Sequence, residues 1–123
     1  MPKPKRILVI DDDDKIRLLM HDILKQAGYE VAVTPYLATA IGEALSGVYD
    51  LISLDLRMPS IDGREIAELF QHQNLNTSVL VVSGYLDPAI TEQLRKIGIT
   101  HFLSKPFTTR GLLNAVEKAL GEP

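Results

Sequence analysis

Short apolar runs alternate along this chain with longer segments in which apolar residues recur at helical spacing. The first run, Ile7–Ile10, passes directly into four aspartates, and apolar residues then stand at positions 16, 19, 20, 23, 24 and 27. This alternation is typical of repeated strand–helix units around a parallel sheet. Five units are predicted, with strands at Ile7–Ile10, Glu30–Val33, Tyr49–Leu54, Ser78–Val82 and His101–Leu103.

The predicted helices carry start and stop signals. The first begins with Asp13 or Asp14 as its cap and ends before Gly28, because acidic side chains accept hydrogen bonds from the first helical N–H groups and glycine readily adopts the left-handed conformation. The fourth has Asp87 at its start and Gly98 beyond its end. The other three are predicted at about 37–45, at about 64–72, and from a cap at Thr108 or Thr109 onward.

Strand composition predicts the order of the sheet. Strands one, three and four are the most apolar and belong in the middle, whereas the second is flanked by polar residues and fits an edge. With right-handed crossovers, the prediction is an α/β fold: a doubly wound, flavodoxin-like parallel sheet of five strands in the order 2-1-3-4-5, with five helices. Ligand sites in such sheets lie beyond the carboxyl ends of the strands, at the reversal between strands one and three. Asp11, Asp12 and Asp55 are expected there.

Length and composition exclude several classes of protein. The 123 residues fit one domain, predicted over 6–121 after a short basic tail at 1–5. A formal net charge of -3, with no basic cluster beyond Lys3, Lys5 and Arg6, argues against direct binding of nucleic acid. The absence of cysteine excludes disulfides and thiolate metal sites. No apolar stretch approaches the roughly 20 residues of a membrane span, so a cytoplasmic protein without membrane contact is expected.

The acidic cluster after the first strand predicts a cation site. Two ionised carboxylates about 4 Å apart repel by roughly 4 kcal/mol at an effective dielectric near 20, and a hard divalent cation is a natural counter-charge. Taken alone, Asp11–Asp14 also fits an acidic helix start, and Asp55 also fits a cap after a strand. The choice depends on their conjunction with Lys105, which follows the fifth strand.

Four fragments stand in order at the predicted strand ends: Ile7–Asp13, Leu54–Gly63, Val81–Gly84 and Phe102–Phe107. Together they resemble the receiver domain of two-component response regulators, of the single-domain, chemotaxis-regulator-like type, over essentially the whole chain. The resemblance implies a phosphorylation-activated signalling switch that works in two-component systems or phosphorelays. It also implies that the chain is no metabolic enzyme and catalyses only its own phosphotransfer and slow autodephosphorylation.

The resemblance implies a role for each matching residue near the acidic cluster. Asp55 is the expected phosphoacceptor, which would become an aspartyl phosphate. Mg²⁺, for which Mn²⁺ could substitute, is the expected cofactor. Its expected ligands are Asp11, Asp12, Asp55 and the main-chain carbonyl of Arg57.

Further roles follow from the later fragments. By resemblance, Ser83 and Lys105 contact the phosphoryl group, and Ser83 and Phe102 form the switch, in which the ring rotates inward as Ser83 moves. The family often has tyrosine at the position of Phe102, so an output that needs the tyrosine hydroxyl is unavailable to this chain. The resemblance also implies that the bond between Lys105 and Pro106 is cis.

Two residues beside the expected site are predicted to tune the lifetime of the phosphoryl group. Arg57 stands two positions after Asp55, and Tyr85 stands two positions after Ser83. Both side chains could overhang the phosphoryl group and slow or redirect the attacking water.

The expected phosphoryl donor is a sensor histidine kinase or a histidine phosphotransfer protein. An output protein of unknown identity is expected on the face of the fourth helix, fifth strand and fifth helix, and the chain is expected to be a monomer or a phosphorylation-dependent dimer. The sequence fits either a stand-alone receiver or one cut from a longer chain.

Three other functions are open to this sequence. Asp11 and Asp13 have the Asp-x-Asp spacing of haloacid-dehalogenase-like phosphatases, although Lys15 stands where those enzymes have Thr or Val. A flavodoxin-like nucleotide-binding module is disfavoured, because the turn after the first strand is acidic and not glycine-rich. A receiver fold that acts by binding alone, without phosphorylation, is the third alternative.

Overall fold

The structure is a computed structural model that describes residues 3–34, 42, 48–58, 61–62, 77–84 and 86–121. Its main strands are β1 (Arg6–Ile10), β2 (Glu30–Thr34), β3 (Leu51–Leu54), β4 (Ser78–Ser83) and β5 (His101–Ser104). Its described helices are α1 (Asp14–Gln26), α2 (Pro88–Lys96) and α3 (Thr109–Ala119). The helices predicted at 37–45 and 64–72 lie outside the described residues, with position 42 excepted.

All neighbouring strands of the five-stranded sheet run parallel, and their order is β2-β1-β3-β4-β5. The predicted order is therefore confirmed. β1, β3 and β4 are interior strands with apolar side chains buried on both faces, whereas β2 lies at an edge and is only partly buried. The order reverses between β1 and β3, and ligand sites of such sheets lie beyond the carboxyl ends of the strands at such a reversal.

Helices cover both faces of this sheet. One face packs against α1 and α3 through a core that includes Ile7, Val9, Leu24 and Val116. The opposite face packs against α2, with Leu8, Ile10 and Ile52 of the strands around Leu94 of the helix. Successive residues of β1 alternate between these two layers, as side chains along a strand do. Because the five strands are parallel, their carboxyl ends all lie at the same edge of this doubly wound sheet.

The predicted caps are present at the described helices. The side chain of Asp13 accepts hydrogen bonds from the backbone N–H groups of Lys15 (2.9 Å) and Ile16 (3.2 Å) at the start of α1. Gly28, just beyond the helix, has a φ of 100°, which favours glycine because it lacks a Cβ. Asp87 caps α2 and Thr108 caps α3 in the same way.

The boundaries of the strands differ slightly from those predicted. β2, β4 and β5 each extend one residue further, and β3 begins two residues later, at Leu51. The segment after β3 contains a short antiparallel ribbon in which Arg57–Met58 pairs with Ile61–Asp62. Within the described ranges, no helix has the length and apolar character needed to cross a bilayer.

Candidate functional site

Four of the predicted site residues stand at or just beyond the carboxyl ends of parallel strands. Asp11 follows β1, Asp55 follows β3, Ser83 is the last residue of β4, and Lys105 follows β5. Backbone hydrogen bonds continue past these strand ends: the N–H of Asp55 donates to the carbonyl of Ile10 (3.1 Å), and that of Lys105 donates to the carbonyl of Ser83 (3.0 Å). The sheet itself therefore brings these residues together.

A lysine bridges two buried aspartates at the centre of this group. The Nζ of Lys105 donates to Oδ2 of Asp11 at 2.7 Å and to Oδ2 of Asp55 at 3.0 Å. Asp11 is 1% exposed and Asp55 is 5% exposed. The ends of three strands thus contribute to one ion-paired cluster.

The cluster shifts the pKa of two of its members. Burial raises the pKa of Asp11, because desolvation disfavours the charged carboxylate, although the hydrogen bond from Lys105 opposes this effect. Burial by itself lowers the pKa of Lys105, but its hydrogen bonds to Asp11 and Asp55 outweigh burial and raise the pKa overall. The lysine is therefore held in its charged form between the two carboxylates.

A third carboxylate completes an oxygen-rich site. Asp12 is exposed. One carboxylate oxygen from each of Asp11, Asp12 and Asp55 could bind a metal, and these three atoms all lie within 4.8 Å of one another. Three carboxylates and the one ammonium of Lys105 carry a formal net charge of -2. A hard divalent cation matches both this charge and the oxygen donors. The donor set therefore fits Mg²⁺ or Mn²⁺.

The turn between β1 and α1 is fixed at several points. The N–H of Asp13 donates to Oδ1 of Asp11 at 2.9 Å. From the first turn of α1, Nη1 of Arg17 donates to the main-chain carbonyl of Asp11 at 2.9 Å, and Nη2 of Arg17 pairs with the carboxylate of Asp14. No motif in the sequence marks Arg17 as a site residue, although its spacing of three from Asp14 is a signal for an ion pair on a helix.

This arrangement of strand-end aspartates and lysine agrees with a family match over almost the whole chain. The model of the response regulator receiver domain matches residues 7–117. The chain belongs to the response regulator receiver domain family. Receiver domains are phosphorylation-activated signalling switches, and they act as phosphoacceptors in signalling and not as metabolic enzymes.

Individual relatives agree with this assignment. The receiver chain is 30% identical over 116 residues to the response regulator receiver protein CpdR of Brucella abortus, covering 94% of this chain and 97% of the relative. It is 34% identical over 118 residues to the C4-dicarboxylate transport transcriptional regulatory protein DctD of Pseudomonas aeruginosa, covering 94% of this chain but only 25% of DctD. The chemotaxis protein CheY4 of Vibrio cholerae has a similar structure, with a TM-score of 0.87, 27% identity, and coverage of 94% of this chain and 98% of CheY4.

For the remaining predicted residues of the receiver domain, the structure gives fewer contacts. Ser83 is fully buried, and Phe102 of β5 packs partly buried against the layer that contains α2. The guanidinium carbon of Arg95 lies 5.7 Å from the centroid of the Phe102 ring. The Lys105–Pro106 peptide bond is cis. The backbone of Arg57 lies in the short ribbon after β3.

Nothing in the comparisons supports the alternative of a haloacid-dehalogenase-like phosphatase. In this receiver domain the Asp13 side chain caps α1, so the second carboxylate of the Asp-x-Asp pair is engaged by helix N–H groups. The prediction that Tyr85 lies beside the site falls outside the described residues, as does the side chain of Arg57.

Proposed function

We propose that this receiver domain accepts a phosphoryl group on Asp55 in a reaction that depends on Mg²⁺. One observation carries the proposal: the buried Asp55 carboxylate lies at the carboxyl end of an interior strand, 3.0 Å from the ammonium of Lys105 and grouped with two further aspartates. A sensor histidine kinase or a histidine phosphotransfer protein is the proposed donor.

The transfer requires little from the protein beyond positioning and charge. A carboxylate oxygen of Asp55 attacks phosphorus and forms the new O–P bond, while the P–N bond to the partner's histidine breaks and its electron pair stays on the imidazole nitrogen. Lys105 already donates to Asp55, so its ammonium stabilises the negative charge that develops on the phosphoryl oxygens. Ser83 is proposed as a further phosphoryl contact, from the end of the adjacent strand.

The metal would be held by the carboxylates of Asp11, Asp12 and Asp55, and we propose the main-chain carbonyl of Arg57 as a further ligand. When bound, Mg²⁺ or Mn²⁺ would offset the negative charge shared by the carboxylates and the phosphoryl oxygens. Asp11 and Lys105 form an ion pair at 2.7 Å in this structure, so the site residues hold their positions partly through one another.

Phosphorylation would alter the face formed by α2, β5 and α3. It replaces the single charge of Asp55 with nearly two charges and three strong acceptor oxygens. We propose that Ser83 moves toward that group and that Phe102 then rotates inward. The backbone bond from Lys105 to Ser83 links the ends of the two strands that carry these residues, which supports a coupled change.

We propose that the changed face binds an output protein, and that the chain is a monomer or a phosphorylation-dependent dimer. The match over 7–117 supports a single receiver unit, which we place at 6–121 with residues 1–5 as a basic tail. We propose a cytoplasmic location without membrane contact, and the formal net charge of -3 supports the proposal that the chain does not bind nucleic acid directly. The second candidate function is the binding of an output protein without phosphorylation, which would use the same face.

Arg57 and Tyr85 are proposed to set the lifetime of the phosphoryl group by restricting the attacking water. The double variant Arg57→Ala, Tyr85→Ala is expected to lose the phosphoryl group at a different rate, measured by the decay of labelled protein after removal of the donor. An unchanged decay rate would contradict this role while leaving the phosphoacceptor assignment intact.

The phosphoacceptor is tested by incubating the protein with acetyl phosphate or phosphoramidate, with and without Mg²⁺, and weighing the acid-quenched protein by intact mass spectrometry. The expected result is a metal-dependent gain of one phosphoryl group that is absent from Asp55→Asn. The matched control is Asp22→Asn, which changes an exposed aspartate of α1 and is expected to leave the gain unchanged. No gain in the native protein, even with rapid quenching, would favour the function by binding alone.

A further inference from the structure

We propose that Arg17 is a positioning residue that holds the turn between β1 and α1 in the conformation that binds the divalent cation. The proposal rests on the function proposed above, since it concerns the same site. Arg17 contacts none of the three carboxylates grouped for the metal; it contacts the backbone from which two of them project.

The contacts of Arg17 close the turn into a ring. The chain leaves β1 at Asp11, enters α1 at Asp14, and returns through the Arg17 guanidinium to the carbonyl of Asp11 at 2.9 Å. The side chain of Arg17 is only 16% exposed, although it lies in the first turn of a helix that begins among exposed aspartates. A guanidinium offers several donors in a fixed planar arrangement, so it can bridge the Asp11 carbonyl and the Asp14 carboxylate at once.

Asp12 depends on this ring more than the other ligands do. Asp11 is held by Lys105 and by the N–H of Asp13, and Asp55 is held by Lys105 and by its own N–H bond to Ile10. Asp12 is exposed, and it stands between two residues whose positions are fixed. Its side chain is directed by the peptide planes on either side, and Arg17 holds the carbonyl of the first of these planes.

Positioning and simple electrostatics predict opposite effects when the arginine is removed. Arg17 is a cation near a cation site, so loss of its charge alone would favour the binding of Mg²⁺. If Arg17 positions the turn, its removal weakens Mg²⁺ binding despite the lost repulsion. Removal of groups that orient metal ligands typically lowers metal affinity by about 10- to 100-fold.

The test compares Mg²⁺ affinity in Arg17→Met, Arg17→Lys and Lys15→Met, measured by calorimetric titration at constant ionic strength. Lys15→Met is the matched control, because it removes an exposed cation from the same helix turn and leaves the Asp11 carbonyl contact in place. We expect Arg17→Met to bind Mg²⁺ about tenfold more weakly, whereas Lys15→Met binds as well as the native protein or better. Arg17→Lys keeps the charge but cannot bridge two acceptors in the same plane, so it is expected to be weakened as well.

Thermal unfolding of each variant without metal separates positioning from a general role in stability. If Arg17→Met unfolds at the temperature of the titration, Arg17→Lys, which conserves charge and most of the side chain, decides the matter. Variants of Arg17 that are folded and bind Mg²⁺ as tightly as Lys15→Met would overturn the proposal, whatever their melting temperatures. Native protein that binds no Mg²⁺ and gains no phosphoryl group would instead overturn the function proposed above.

Discussion

Lys105 pairs with the carboxylates of both Asp11 and Asp55, and its removal should leave these two buried carboxylates to repel each other. Lys105→Met keeps much of the side-chain volume but leaves the two carboxylates without their ammonium. Both carboxylates are almost completely buried, so solvent screens them poorly. We therefore expect the variant to be markedly less stable in the absence of divalent metal.

The size of the loss follows from the separation of the carboxylates. Their ligand oxygens lie within 4.8 Å of each other, and at that separation two full charges repel by about 3.5 kcal/mol at an effective dielectric of about 20. Breaking a buried ion pair by removing one partner costs about 3–5 kcal/mol, which describes the same effect and is not added to it. A loss of about 3 kcal/mol would lower the melting temperature of a domain of this size by about 10 °C.

The assay is thermal unfolding of native protein and Lys105→Met, first with a chelator and then with Mg²⁺. Removal of the lysine changes the formal charge of the site from -2 to -3, so the divalent cation should stabilise the variant more than the native protein. Lys5→Met serves as the control, since Lys5 is exposed and precedes β1, and we expect little change from it.

Two results would refute this reasoning. One is a decrease in the free energy of unfolding of less than about 1 kcal/mol in the presence of the chelator, which would mean that the protein relieves the repulsion between the carboxylates without the lysine. The other is an equal gain from Mg²⁺ in the native protein and the variant, which would mean that the metal and Lys105 do not share the same carboxylates.

Three further predictions concern the elements around the site. Asp13→Ala removes the cap of α1 and should lower the free energy of unfolding by about 1 kcal/mol in urea titrations. Gly28→Ala should cost about 1 kcal/mol in the same assay, because a φ of 100° is strained for alanine although nothing crowds the added Cβ. Arg95→Met and Phe102→Leu, combined in a double-mutant cycle, should show a coupling of about 0.5 kcal/mol from the contact of guanidinium and ring; a coupling near zero would contradict it.

The sequence was sufficient to predict the order of the sheet and the convergence of Asp11, Asp55 and Lys105 at its edge, for identifiable physical reasons. Three strongly apolar runs leave few places for interior strands, and right-handed parallel crossovers then allow few orders. Because Asp11, Asp55 and Lys105 each follow such a run directly, their convergence follows from the topology. The caps at Asp13 and Gly28 are equally local, since each depends on the hydrogen bonding or the φ of a single residue.

The features that could not be predicted depend on contacts without a sequence pattern. Arg17 donates to a main-chain carbonyl, and every residue has one, so spacing alone could indicate only its ion pair with Asp14. The contact between Arg95 and Phe102 joins a helix to the following strand, and it depends on the angle at which α2 packs. The ribbon that begins at Arg57 is too short for its periodicity to be detected.

The site residues are held in place in two different ways, and this difference predicts which substitutions will weaken metal binding most. Asp11, Asp55, Ser83 and Lys105 are tied to the sheet, which the apolar layers on both faces stabilise. A substitution in a distant loop should therefore leave their positions unchanged. Asp12 lies beyond the last sheet bond of its strand, so its position depends on the turn. If a divalent cation needs all three carboxylates, its affinity will be more sensitive to substitutions in residues 12–17 than to equally destabilising substitutions in the sheet.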